Sequence, residues 1–477
     1  MKKTGNKRVL LLAFLLPLLG AAQPGGGATA DSTKPTRHEF SIQQAIDYAK
    51  KNNLNVKNAL LDVQYQEQVN KEVTSRAYPG INASLGTTYN PNIATQVIPN
   101  FISPATYQVL IDQGVKDGNG NPIQMPGDFG FIAAQFGTKY SASAGIALSQ
   151  LLFDGQVFVG LQARDATMRF ARKNVEVTEE MIKTNIYKIY YQLVVGKTQL
   201  ELLDANIDRL EKLLKDTKVI YENGFAEKLD VDKLNVVLTN LKTEKSKVLN
   251  SLSNGYYGLK VLIGMPVKDE LVLTDKLTDE QIKDGILEAS AYKYDDRKDY
   301  QYAQIGKELN EFNIRRYKLS QIPTISLNGQ YAKNAQRNKW NFLGKGDWFT
   351  ISNISLNMSI PIFNGFYTKT KIQQTRIDLR KTENQIEALK LSIDMEVEMA
   401  KNNYRSAISS MDFQKKNMEL AETVYNQTKK KYEVGTGSQT EINAAQVELK
   451  TAQTSYISAL YDAVIARIDF LKATGKL

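Results

Sequence analysis

The chain states one long helical pattern twice, and that duplication limits what it can fold into. Tyr221-Glu222-Asn223-Gly224 returns as Tyr432-Glu433-Val434-Gly435, and Phe153-Asp154-Gly155 returns as Phe363-Asn364-Gly365. Between these marks runs an apolar seam in alternating steps of four and three: Ile182, Ile186, Ile189, Leu193, Gly196, Leu200, Leu203, Ile207, Leu210, Leu214. The second copy reads Ile393, Val397, Ala400, Tyr404, Ala407, Met411, Gln414, Met418, Ala421, Tyr425. A 4,3 seam is a heptad seam, and helices this long need partner helices along their length. The chain is therefore expected to form paired rods in two similar halves.

Return helices extend the pattern. Leu234, Leu238, Leu241, Lys245, Val248, Leu252, Gly255, Leu259 and Leu262 follow Gly224. Ala445, Leu449, Ala452, Tyr456, Ala459, Ala463, Ala466, Phe470 and Ala473 follow Gly435. The first long helix, read over 158–222, would span about 97 Å at 1.5 Å per residue. The return helix 229–263 and a helix over 41–77 are each roughly half that length. Ser41 caps the latter, Gln44 completes a capping box, and Pro79 ends it.

Four segments alternate with strand period. Ile81, Ala83, Leu85, Thr87 and Tyr89 form one apolar face; Ala142, Ala144, Ile146 and Leu148 form the next. Ile325, Leu327, Gly329 and Tyr331, then Ile354, Leu356, Met358 and Ile360, repeat the pattern in the second half. A phase slip between Ile351 and Ile354 predicts a bulge. The intervening residues are small or polar and almost uncharged, as in membrane strands whose two faces meet lipid and lumen. Trp340 and Trp348 lie in the loop before the last strand, beside a candidate membrane strand, where an interfacial aromatic belt belongs. The 50-residue stretch Asn90 to Lys139, rich in Pro, Gly and Asn, reads as a loop.

Lys2, Lys3, Lys7 and Arg8 precede an apolar run from Val9 to Leu19, followed by Gly20-Ala21-Ala22. This reads as a signal peptide over 1–22, and so as an exported protein. Residues 23–40 read as a flexible leader, with His38 a solvated linker residue. Residues 41–263 form the first repeat, 264–296 a bridge with a short helix Asp279 to Ala291, and 297–477 the second repeat. Without the four signal cations, 57 Lys and Arg face 51 Asp and Glu, interspersed, which gives no case for nucleic acid. There is no Cys and one His, so no disulfide, metal site, cofactor or thiol chemistry is expected, nor a lipid-modified cysteine.

Four membrane strands cannot close a barrel alone, so other copies must complete it; two copies give eight strands and three give twelve. Small residues in the seams suit a tube wall, which favours three. The expected fold is mainly α with membrane β: a trimeric helical tunnel joined to a 12-stranded barrel, four strands per chain. A trimeric coiled-coil surface scaffold or adhesin stays open as an alternative, although it predicts no strand pairs feeding helices. An enzyme lacks any His, Cys or Gly-rich phosphate loop to support its carboxylates.

Ser41-Ile42-Gln43-Gln44-Ala45-Ile46, Tyr78-Pro79, Leu151-Leu152-Phe153-Asp154-Gly155 and Ile360-Pro361-Ile362-Phe363-Asn364-Gly365 stand in order along this frame. Leu262-Ile263-Gly264-Met265-Pro266 and Tyr432-Glu433-Val434-Gly435-Thr436-Gly437-Ser438 with Glu441-Ile442 complete the set. Over essentially its full mature length this chain resembles the TolC-type outer-membrane efflux family. The resemblance implies a homotrimer in outer-membrane lipid, its tunnel crossing the periplasm as a passive exit duct of a tripartite efflux pump. It implies two partners, a periplasmic adaptor and an inner-membrane transporter of RND or ABC type. The same duct could serve type I secretion. By position, Gly224, Phe225, Gly435, Thr436, Gly437 and Ser438 would be the hairpin tips that meet the adaptor. Glu441 and Tyr432 would lie at the periplasmic aperture, Glu441 matching the first of two acidic rings while Ala444 stands at the second. Tyr221 is a further candidate for hydrogen bonding across the tip.

Overall fold

Long helices with a 4,3 seam must lie side by side, and in the computed structural model they do. The structure describes residues 36–277, 282–283, 292–344 and 346–477. The expected signal segment and most of the leader lie outside these residues, as does the expected helix 279–291 apart from 282–283.

The leader's last residues belong to the folded body. Strand β1 (Arg37–Phe40) pairs in parallel with β6 (Glu270–Leu273), His38 opposite Leu271. Leu271 and Leu273 are buried in a core cluster against which Phe40 of β1 packs. His38 is consequently not a solvated linker residue: its Nε2 lies 3.5 Å from Asp269 Oδ2 and its ring meets Phe40 and Tyr48.

Helix α1 (Ile42–Asn52) opens with the expected capping box between Ser41 and Gln44. The single helix expected through Arg76 is two, because Asn53 is extended and starts α2 (Leu54–Ser75). Asn53 Oδ1 accepts from Asn55 N and Val56 N, while its Nδ2 donates to Leu262 O at 2.6 Å. The break is tertiary in origin. Gly264 holds a left-handed turn (φ +76) against Asn52, and a Cβ there would collide with Asn52 O.

Strands β2 (Gly80–Tyr89), β5 (Tyr140–Phe153), β7 (Thr324–Arg337) and β8 (Phe349–Ser359) form one antiparallel sheet in the order β2-β5-β7-β8. The registers align Ile81, Leu148, Gly329 and Ile354 in one row across the sheet, and Asn82, Ala147, Gln330 and Asn353 in the next. The two faces are thus apolar and polar, as the alternation predicts. The bulge expected between Ile351 and Ile354 is absent: the β7–β8 ladder runs unbroken, and Ile351 lies on the polar face opposite Ala332. The register shift lies instead in β5, between Leu151 and Phe153. Nor is Asn90 to Lys139 irregular throughout. It holds β3 (Thr95–Pro99) paired with β4 (Phe131–Gln135), and helix α3 (Ile102–Asp112).

Asp154 caps α4 (Gly155–Gln162), and after a break at Ala163 the chain continues as α5 (Arg164–Glu222). Helix α6 (Lys228–Ile263) returns beside it. In the second half α7 (Lys298–Leu319) precedes β7, and α8 (Tyr367–Glu433) and α9 (Gln439–Ala473) follow β8. At 67 residues α8 is about 100 Å long. The seams are where the cores form. Ile186, Leu193, Leu210, Leu234 and Leu259 are buried in the first hairpin; Ile393, Tyr404, Tyr425, Leu449 and Phe470 are buried in the second. Leu210, Leu234, Tyr425 and Leu449 share one cluster, so the two hairpins pack against each other.

Candidate functional site

Two features set this chain apart from a soluble bundle: the paired hairpin tips at one end and the sheet at the other. Both tips end their long helix identically. Phe225 N donates to Ile220 O and Gly224 N to Tyr221 O; Thr436 N donates to Lys431 O and Gly435 N to Tyr432 O. This double bond needs a left-handed residue, and Gly224 and Gly435 supply it with φ of +84 and +76. The tips then diverge. Phe225 projects into solvent at 86% exposure, and Glu227 starts α6 without a side-chain cap. In the second copy, Ser438 starts α9 with a capping box.

That box occupies Glu441. Glu441 N donates to Ser438 Oγ at 3.2 Å, and Ser438 N donates to Glu441 Oε2 at 3.4 Å. The carboxylate therefore folds back over the first turn while Glu441 remains exposed, as does Ala444. Tyr432 meets Thr217 of α5, with the two hydroxyl oxygens 3.4 Å apart. Thr217 is fully buried, whereas Tyr221, the expected counterpart, is exposed. Thr217 stands three residues after Leu214, where the 4,3 seam continues, so its burial had a cue in sequence although its partner had none. A buried amide group higher in the wall was less visible: Asn206 Nδ2 donates to Gln453 Oε1 at 2.6 Å, and Gln446 Nε2 donates to Asn206 Oδ1 at 3.2 Å. Gln446 and Gln453 each follow a seam alanine by one residue, the one cue available.

At the sheet, the apolar face is bare. Leu85 is 88% and Ile354 83% exposed, on strands of 10 and 11 residues. That length matches a membrane-crossing strand, and water is a poor solvent for such a face. Trp340 and Trp348 sit beyond the end of the sheet remote from the helices, each within 6.3 Å of the Phe342 ring, over which Arg337 lies at 5.3 Å. A second aromatic group marks the opposite end, where Tyr78, Phe363, Phe366 and Tyr367 are all exposed. No helix of the described residues is long and apolar enough to cross a membrane.

Midway along the rods, the bridge is tied down by charge. The buried Arg297 donates through Nε and Nη2 to Asp299 at 3.0 and 2.6 Å, and through Nη1 to Glu396 at 2.9 Å and Ala473 O at 3.3 Å. Burial opposes its charge, yet the bonds from Asp299 and Glu396 hold it above the ordinary guanidinium range. Tyr292 and Tyr294 both donate to Asp394 of α8, which pushes the Tyr292 hydroxyl up to about 12. These groups are paired with one another and present no nucleophile beside a base. What the whole arrangement offers is a wall and a membrane surface.

Comparison with known proteins leads the same way. Residues 297–476 match the model of the outer membrane efflux protein family. The outer membrane protein TolC of Vibrio cholerae is 22% identical over 338 residues, 70% of this chain and 77% of that protein. The outer membrane efflux protein BepC of Brucella suis is 19% identical over 71% of this chain and 73% of its own length. Among solved structures, the Campylobacter jejuni CmeC outer membrane channel superposes with a TM-score of 0.68 at 15% identity, covering 91% of this chain and 85% of that one.

Proposed function

The chain belongs to the TolC-type outer-membrane efflux family, and from that premise we propose that it is the passive exit duct of a tripartite pump expelling small toxic compounds. One observation carries the reading. A single chain joins four strands with an uncovered apolar face to helices about 100 Å long. Channels of this family are homotrimers in the outer membrane that work with a periplasmic adaptor and an inner-membrane RND or ABC transporter. Three copies supply twelve strands and remove the free edges of β2 and β8, which the bilayer does not tolerate. The rods then wall a tunnel through the periplasm. In this arrangement Gly224, Phe225, Gly435, Thr436, Gly437 and Ser438 meet the adaptor. Glu441 and Tyr432 stand at the aperture, and Trp340 and Trp348 mark the outer interface. The duct performs no reaction; the transporter supplies the energy.

The test is accumulation of dyes, bile salts, antibiotics and metal ions in cells lacking the gene and in cells with it restored. Higher accumulation in the deletion, reversed on restoration, is expected and identifies the cargo class. Unchanged accumulation with exported proteins missing from the medium would move the duct to type I secretion.

A further inference from the structure

We infer that the excursion between β2 and β5, residues 90–139, is an intersubunit clasp that seats on the β7–β8 loop of the adjacent copy at the outer rim; this rests on the trimeric reading above. The sheet order leaves β2 and β8 as its two edges, so closure by copies sets β2 of one chain beside β8 of the next. Tyr89 pairs with Tyr140, Tyr140 with Arg337, and Asn334 with Phe349. Both loops therefore leave the same end of the sheet, opposite the helices. The excursion rises from edge strand β2 and the β7–β8 loop feeds edge strand β8, so the two adjoin across every subunit boundary.

The surfaces at that boundary are apolar and uncovered. The β3–β4 hairpin has two faces. Ile98, Ile132 and Ala134 are partly buried on one, while Val97, Pro99, Ala133 and Phe131 are exposed on the other, Phe131 at 72%. A two-stranded hairpin is marginal without cover on an apolar face. Phe101 and Val109 extend the bare patch, whereas Asp112, Lys116, Asp117, Asp128 and Lys139 are the only charges among these 50 residues. On the other loop, Leu343 is 93% exposed and Trp340 and Phe349 are more than half exposed. Large apolar side chains left bare in this number mark an interaction site. A second copy is the occupant because the patch continues the seam that closes the barrel.

The chain has no cysteine, so introduced pairs report without background. Phe131→Cys combined with Leu343→Cys, oxidised in intact outer membranes, is expected to give covalent dimers and trimers on a non-reducing gel, with neither single variant doing so. A covalent dimer from Phe131→Cys alone would mean that the excursions meet on the axis, and would overturn the clasp. So would a bond closed only within one chain, or no bond in a chain that still sediments as a trimer. A chain that sediments as a monomer removes the trimeric reading itself, which separates the two failures. The variant Val97→Ser with Phe131→Ser checks the result without oxidation. It is expected to lower the temperature at which the trimer dissociates in detergent, and an unchanged temperature would count against the clasp.

Discussion

Arg297 shows how much one side chain can hold. Its guanidinium fixes the start of α7 to Asp299, to Glu396 on α8 and to the last residue of α9, Ala473. Burial raises the Asp299 carboxyl, but the bonds from Arg297 outweigh burial and hold it below the usual carboxylate range. Glu180, nearby, is pushed up by burial, and the charge of Arg297 restrains the rise. Arg297→Ala strands all three carboxylates. Breaking a fully buried pair costs ~3–5 kcal/mol, and because Asp299 and Glu396 keep some contact with water the expected loss is smaller, about 2–3 kcal/mol. Because the folded pKa of Asp299 is depressed, its share of that stability is present above the unfolded value of about 3.9 and is lost as pH falls through the folded value. Thermal unfolding of wild type and variant should therefore differ at pH 7, and the gap should begin to close only as pH falls below about 3.9, closing through the lower folded value. A gap independent of pH would show that packing, not charge, is what Arg297 provides.

Between elements, the seam works by insertion. A Cβ on Gly196 would lie 2.7 Å from Leu252 Cδ2, and one on Gly255 would lie 2.7 Å from Leu193 Cδ2. Each leucine thus fills the space its facing glycine leaves, and α5 and α6 approach closely at that level. Gly196→Val should destabilise the hairpin by about 1–3 kcal/mol through overpacking. Adding Leu252→Ala should recover at least ~1 kcal/mol relative to the sum of the single changes, since contacting residues couple by roughly 0.5–3 kcal/mol. Strict additivity in thermal unfolding would sink this account of the contact. These glycines were legible as seam positions, as were the Ser41 cap and the Gly224 turn, because each is specified within a few residues by a repeat or a cap. The break at Asn53 was not, because its cause lies about 210 residues away at Leu262 and Gly264. The hairpin inside 90–139 was hidden by short strands amid Pro and Gly. The supposed bulge at Ile351 came from one apolar residue on the polar face. At the tips, the turns were readable, but Thr217 as partner of Tyr432 was not, being 215 residues distant.

At the scale of the whole duct, threefold symmetry multiplies whatever each tip presents. In the proposed aperture, one exposed Glu441 per chain becomes three carboxylates around one axis, and in a narrow lumen such a ring favours cations. The same residue also closes the α9 capping box, so its removal mixes two effects. Glutamine separates them. A Ser-x-x-Gln box retains both hydrogen bonds, as Ser41 and Gln44 show in this chain, but carries no charge. Glu441→Gln is therefore expected to lower the cation-to-anion permeability ratio in planar bilayers while leaving trimer melting unchanged. Glu441→Ala should lower the same ratio and also weaken the tip, by about 0.5–2 kcal/mol for a lost cap contact. A Glu441→Gln channel with undiminished cation preference would confine Glu441 to the helix start. Selectivity would then have to come from other charges on the lumen wall. In the proposed aperture Ala444 adds no charge three residues beyond Glu441, so the three neutral substitutions should remove most of the aperture's preference at once.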